Sequence, residues 1–273
     1  MAAFSDQNYL LNVQYKDASN LKARVELHRR FGTNKYGWHA WVFDQLQIAP
    51  DSRILELGCG PGLFWASNAN RIPADWQITL SDFSPGMLQA AQQTLAQGPR
   101  RFNFQVIEAQ AVPYGNDSLD VVIANHMLYH VPDRPRALSE IRRVLKPGGR
   151  LYASTVGEQH LKEMAALGRR IHPSYTSGLE ANPFSLENGA AQLTPYFSSI
   201  SLRRYENVLI VTEAQPLVNY ILSGKGASIF VGERLERLRA LIQQELAEHG
   251  AIHITADSGL FIAHNHTSER GRA

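Results

Sequence analysis

The sequence predicts an α/β fold built on a doubly wound, mostly parallel sheet with helices on both faces. Three observations point to it. From Ser52 onward, short apolar runs alternate with segments of helical periodicity. The first run, Ile54-Leu55-Glu56-Leu57, leads into Gly58-Cys59-Gly60-Pro61-Gly62, three glycines within five residues. The second, ending at Asp82, is followed by Ser84-Pro85, a capping hydroxyl with proline at the first helical turn.

The elements follow in order. Before Pro50 the chain reads as helical, with Leu21, Val25 and Phe31 and then Trp38, Trp41, Val42 and Leu46 recurring at three- and four-residue spacings. These helices are expected to form a cap over residues 1–50, with Trp38 and Trp41 as packing residues. Residues 53–57 read as the first strand, 63–69 as a helix, 77–82 as the second strand and 102–107 as the third. The run 119–124 is apolar enough for a strand buried on both faces. A helix from about Arg134 to Leu145 then meets Lys146-Pro147-Gly148-Gly149, read as a turn into a fifth strand at 150–156. A core over 51–157 is thus expected, wound right-handed.

After Gly157 the rhythm breaks. Residues 158–198 hold one helix, 161–171, and a Pro/Gly/Asn-rich stretch, expected as an insert and substrate cap. Residues 199–273 are expected to complete the sheet: a strand at 200–211, helices at 213–222 and 233–249, and a strand pair or long strand at 252–264. The polar tail from Asn265 is expected to fray, its His264-Asn265-His266 being tail composition and no nuclease motif.

Composition narrows the function. Of 273 residues 44% are apolar, which excludes a disordered or collagen-like chain. The net charge of +2 carries no nucleic-acid footprint, and no run of Lys and Arg occurs. A single cysteine, Cys59, excludes an intrachain disulfide and a multi-cysteine zinc site, and no metal is expected. Within the glycine turn it reads as a small filler. The first nineteen residues carry Asp6, Lys16 and Asp17 and no uninterrupted apolar stretch, and runs such as Val121–Ala124 are far shorter than a membrane span. A soluble, cytoplasmic protein without a membrane partner is expected.

The glycine turn carries the chemistry. Glycines at a strand end let a ligand approach the backbone without meeting a Cβ. A dinucleotide fingerprint has the spacing G-x-G-x-x-G, whereas this turn has G-x-G-x-G with Glu56 two residues before it. That carboxylate would repel a pyrophosphate and attract an ammonium group.

On these residues the chain resembles the class I S-adenosylmethionine-dependent methyltransferases, motif by motif over roughly 51–156. Asp82, 20 positions after Gly62, matches the family's ribose-binding acid. The stretch VIEAQAVPY from Val106 matches the loop after the third strand, DVVIANHMLYHVP from Asp120 the fourth strand and its loop, and KPGGRL from Lys146 the turn into the fifth. Glu108 stands where the family more often has Asp. The resemblance implies a Rossmann-like, seven-stranded sheet with S-adenosyl-L-methionine across the carboxyl ends of the first strands. It implies a cofactor set of Tyr15, Glu56, Gly58, Gly60, Asp82, Phe83, Met87, Glu108, Ala109 and Asn125, with Glu108 and the Ala109 backbone at the adenine. Asp120 reads as structural.

Methyl transfer from a sulfonium is an in-line displacement, in which the protein aligns and dehydrates the reactants. A hydroxyl acceptor also benefits from a base poised near neutral pH, and His126 and His130 after the fourth strand are the candidate catalytic residues. Tyr15 and His28 read as lid residues. No Asn/Asp-Pro-Pro-Tyr follows the fourth strand and no Pro-Cys nucleophile occurs, so the small-molecule type is implied, with methylation at O, N or C. An RNA or protein methyltransferase, or a non-methylating protein on the same fold, are the alternatives. Aromatic residues Tyr15, Tyr36, Trp38, Tyr175, Phe184 and Tyr196 suggest a partly apolar acceptor pocket. A homo-oligomer stays open.

Overall fold

The computed structural model describes residues 6–177, 182–224 and 226–266. Nine strands occur among them: β1 (Arg53–Leu57), β2 (Gln77–Asp82), β3 (Asn103–Val106), β4 (Leu119–Asn125), β5 (Leu145–Val156), β6 (Ser199–Tyr205), β7 (Val208–Val211), β8 (Ile252–Thr255) and β9 (Ser258–His264). Seven form one sheet in the order β3-β2-β1-β4-β5-β9-β6. The first five pair in parallel, and β9 runs antiparallel between β5 and β6. The strand order reverses between β1 and β4, which opens a crevice at their carboxyl ends.

Alternation along the central strands places apolar side chains on both faces. Leu55 and Leu57 of β1 with Val122 and Ala124 of β4 meet one layer, supplied by α6 (Arg134–Val144) and by Phe184, Leu186, Leu193 and Phe197, of which Leu193 lies in α8 (Gly189–Leu193). Ile54, Val121 and Ile123 meet the other, made by α3 (Trp38–Asp44), α4 (Leu63–Ser67) and α5 (Pro85–Leu95). The helix α5 begins as its sequence dictates: Ser84 Oγ accepts from the Met87 amide and Pro85 occupies the first turn.

A second lobe has its own core. Around the antiparallel pair β7–β8 pack α2 (Ser19–Phe31), α7 (Lys162–Ile171), α9 (Ala214–Leu222), α10 (Gly226–Ile229) and α11 (Glu233–His249), burying Leu27, Leu209, Leu217, Leu238, Ile242 and Ile254. The chain enters through a short helix α1 (Gln7–Tyr9) that runs into a π-helical turn, Leu10–Gln14.

Three expectations need correction. The strand expected at 200–211 is two strands in two sheets, broken at Glu206-Asn207. There the Asn207 carboxamide oxygen accepts from the Asn34 amide at 3.0 Å and draws the chain out of the main sheet. The segment 252–264 likewise divides, and its halves do not pair with each other: β8 joins β7, and β9 joins β5 and β6. The break follows Thr255, whose amide and hydroxyl are both held by the Glu163 carboxylate at 2.9 and 2.8 Å.

The third concerns Lys146–Gly149. These residues belong to β5 as an irregularity between the pairs Leu119↔Leu145 and Val121↔Arg150. Asn265 holds it in place, and so is not frayed: its amide donates to Gly149 O and its Nδ2 to the carbonyls of Leu145 and Lys146, at 2.8, 2.8 and 3.1 Å. The remainder of the expected tail, 267–273, lies outside the described residues. Asp120 braces the same end of the sheet, accepting from the Arg53 amide at 2.9 Å and pairing with Lys146 at 2.7 Å. Among the described residues no helix is long and apolar enough to cross a membrane.

Replacing Asn265 by alanine strands buried carbonyls of the irregularity, and a loss of about 1–3 kcal/mol in denaturant unfolding is expected. An unchanged midpoint would mean that the Lys146–Gly149 segment holds its shape without this side chain.

Candidate active site

The carboxyl ends of β1, β2 and β4 open into a cavity of about 730 Å³ that reaches to the second lobe, within the roughly 300–1,000 Å³ usual for small-ligand sites. On its floor, Gly58 and Gly60 have φ of +70° and +54°. A Cβ at Gly58 would stand 2.8 Å from Met127 Cβ, so the Met127 side chain packs directly on the Gly58 backbone.

Two buried carboxylates flank the turn. Glu56 accepts from Trp65 Nε1 at 2.6 Å on one oxygen and from Asn125 Nδ2 at 3.1 Å on the other. Asn125 is oriented in turn by Ser154 Oγ, which also takes the His126 amide. Asp82 accepts from the Gly60 and Ser84 amides, one on each oxygen, both at 2.9 Å. Neither acid has a cationic partner within 4 Å among the described residues. Burial pushes Glu56 up to about 7 against the hydrogen bonds of Trp65 and Asn125. It pushes Asp82 up to about 6 against the amides of Ser84, Gly60 and Phe83.

Every residue assigned to the cofactor from the sequence lines this one cavity. Tyr15, Glu56, Gly58, Gly60, Asp82, Phe83, Met87, Glu108, Ala109 and Asn125 all do so, and so do His126 and His130. Glu108 is exposed and accepts from Gln7 Nε2 at 3.0 Å, while Ile107 and Ala109 beside it are buried. Cys59 is a buried filler whose thiol burial pushes well above its ordinary value.

The two histidines part company. Tyr15 Oη lies 2.8 Å from His130 Nε2, the rings meeting edge to face. His126 sits at φ +49°, its ring 5.0 Å from Trp38, and burial pushes it down to about 3, which makes it a poor proton acceptor. Trp38 is therefore a wall of the cavity as well as a packing residue, whereas Trp41 is not in the lining. His28 also lines the cavity and stacks on His160, ring centroids 5.7 Å apart. Of the aromatic residues expected around an acceptor, Tyr15, Tyr36 and Trp38 line it. Tyr175, Phe184 and Tyr196 do not: the first is buried in the second lobe, and the other two pack in the core of the sheet.

Sequence reading missed Arg24, Tyr129, His160, Tyr205 and Tyr220, which line the same cavity. Tyr129 lies within the quoted 120–132 motif but beside the more conspicuous His130; the others come from segments without a motif, and Arg24 stands in a helix whose other cations, Lys22, Arg29 and Arg30, are exposed.

Comparison with known proteins agrees with this geometry. The family described as "Methyltransferase domain" matches residues 55–153. Residues 55–153 form a methyltransferase domain of the class I S-adenosylmethionine-dependent family. The chain is 34% identical over 123 residues to the ubiquinone/menaquinone biosynthesis C-methyltransferase UbiE of Geotalea daltonii, covering 44% of this chain and 52% of that one. It is 33% identical over 141 residues to the malonyl-[acyl-carrier protein] O-methyltransferase of Erwinia pyrifoliae, covering 52% and 51%. The chain thus spans about half the length of these curated relatives. Phosphoethanolamine N-methyltransferase 2 of Haemonchus contortus, solved with S-adenosyl-L-methionine, shares the fold at a TM-score of 0.59 and 20% identity, covering 98% of this chain and 61% of that one.

The residues present fit the family's cofactor. Two buried, unpaired acids suit a ligand that brings an ammonium group and hydroxyls, and the open backbone of the glycine turn admits it. Because Glu56 is raised from 4.5 to about 7, the stability it contributes as a neutral acid is complete below about 4.5 and is lost as pH rises through 7. Glu56→Gln is therefore expected to be more stabilising relative to wild type at pH 8 than at pH 5, as read by urea unfolding. Equal differences at both pH values would contradict the account of its burial.

Proposed function

We propose that this chain transfers a methyl group from S-adenosyl-L-methionine to a small-molecule acceptor, with Tyr15 and His130 handling the acceptor's proton. The observation that carries the reading is the 2.8 Å contact between Tyr15 Oη and His130 Nε2 in the cavity that also holds Glu56 and Asp82. When bound, the cofactor supplies a methyl on a sulfonium, which leaves with the C–S pair retained by sulfur.

The chain's own residues do the rest. Glu56 would meet the ammonium of the methionine moiety, Asp82 the ribose hydroxyls, and Phe83, Met87, Glu108 and Ala109 the adenine. Burial raises the Tyr15 phenol, so it stays protonated and donates to His130. A hydroxyl acceptor would pass its proton to Tyr15 as Tyr15 passes its own to His130 Nε2, which leaves the acceptor oxygen with a free pair. His126 orients Trp38 and the loop and does not act as the base. The helices of residues 1–50 cover the reacting atoms and exclude water. The matched relatives are named for methylation at carbon and oxygen, and the solved neighbour at nitrogen, so all three acceptor atoms are kept in the test. A near-balanced charge favours a small molecule over RNA or an acidic protein surface.

The test is S-adenosylhomocysteine formation with a panel of small phenols, primary amines and 1,3-diketones. Turnover with a phenol is expected to fall by about 10²–10⁴-fold in Tyr15→Phe and His130→Gln, with S-adenosylhomocysteine affinity unchanged in His130→Gln. No product with any class, or full activity in both variants, would contradict the reading.

A further inference from the structure

Arg24 and Arg29 of α2 both line the cavity, but Arg29 is exposed and paired with Glu26, whereas Arg24 is half-buried. Its Nε donates to Ser223 Oγ at 2.9 Å and its Nη2 to Ser223 O at 3.0 Å, and the guanidinium lies over the Tyr220 ring, 5.9 Å from the centroid. Ser223 is itself buried, and the approach is close: a Cβ at Gly224 would stand 3.1 Å from Nη2. The head group is thus held by neutral partners. Among the described residues no carboxylate comes within 4 Å of it. An enclosed guanidinium without a counter-charge is costly, and its fork of donors matches carboxylate and phosphate oxygens.

Its position says which ligand would bring that charge. Gln14, next to Tyr15 in the chain, donates through Nε2 to the same Ser223 carbonyl at 3.3 Å. Arg24 therefore stands beside the segment that carries the Tyr15–His130 pair, whereas Glu56 and Asp82 are held by Trp65, Asn125, Gly60 and Ser84.

We propose that Arg24 binds an anionic group, carboxylate or phosphate, on the methyl acceptor, and that the acceptor is an acidic compound whose apolar part lies against Tyr129 and Tyr220. This rests on the methyltransferase reading and adds the substrate class. An anion held at Arg24 brings the rest of the acceptor past Tyr15, where its nucleophilic atom faces the proton relay. A neutral analogue would leave the guanidinium enclosed and unpaired, so the site selects by charge as well as shape.

The experiment uses the full chain, first titrated with S-adenosylhomocysteine in wild type, Arg24→Gln and Arg24→Lys. Glutamine keeps donors for Ser223 and removes the charge; lysine keeps the charge. Wild-type binding of S-adenosylhomocysteine reads the methyltransferase assignment by itself, so its failure is distinguishable from failure of this inference. With S-adenosylhomocysteine bound, benzoate, phenyl phosphate and the neutral isostere benzamide are then titrated. Benzoate or phenyl phosphate is expected to bind the wild type at least about thirtyfold more tightly than benzamide, and which of the two wins separates carboxylate from phosphate. Arg24→Gln is expected to abolish that preference and Arg24→Lys to retain part of it, with S-adenosylhomocysteine affinity the same in all three. Equal binding of benzamide and the anions would overturn the proposal. So would a tenfold or greater loss of S-adenosylhomocysteine affinity in Arg24→Gln, which would assign Arg24 to the carboxylate of the cofactor.

Discussion

Asp82 fastens the end of β2 to the turn that follows β1, and the site grows outward from that attachment. One oxygen takes the Gly60 amide and the other the Ser84 amide, so the glycine turn and the start of α5 are fixed by a single carboxylate. Ser84 carries the constraint further: its hydroxyl caps α5 at the Met87 amide and donates to the Tyr15 carbonyl at 2.9 Å. Tyr15 then reaches His130. Three hydrogen-bonded steps thus join Asp82 to the Tyr15–His130 pair, and the N-terminal segment is placed by the same residues that are proposed to hold the ribose.

Electrostatics divides the cavity in two. One half has buried acids without cations, Glu56 and Asp82, and the other has a half-buried cation without an acid, Arg24. They do not neutralise one another across the cavity, and each is left to a ligand of opposite sign or matching hydroxyls. Burial costs both kinds of group in the free protein. The fold tolerates that because the two halves belong to differently packed parts: Glu56 and Asp82 end strands of a sheet covered on both faces, while Arg24 is held by Ser223 at the end of α9 in the second lobe.

Much of the first half was legible in the sequence because its chemistry is local. A strand, a glycine turn and an acid at a fixed interval identify themselves, and the eleven site residues named within 51–156 line one cavity with Tyr15. The second half was not, because its residues are joined only by the tertiary fold. Tyr205 and Tyr220 look like any aromatic residue, and the same ambiguity misplaced Tyr175, Phe184 and Tyr196, which fill cores. The breaks at Glu206-Asn207 and Ala256-Asp257 were hidden because strand-like patterning resumes after each, so periodicity carries no mark of a change of sheet. The Lys146–Gly149 irregularity was read as a turn because proline and glycine signal both, and its deciding partner, Asn265, lies more than a hundred residues away.

The central claim is that the cavity at the ends of β1, β2 and β4 binds an adenosyl-sulfur ligand through Asp82 and Glu56. Thermal unfolding with S-adenosyl-L-methionine, S-adenosylhomocysteine or NAD, on wild type and Asp82→Asn, tests it most directly. Ligand at a hundredfold excess over Kd adds about 2.7 kcal/mol, a rise of roughly 5–10 °C for a chain of this size. The account predicts that rise with the two adenosyl-sulfur ligands, its loss in Asp82→Asn, and none with NAD. A rise with NAD alone, or none with any ligand, would contradict it.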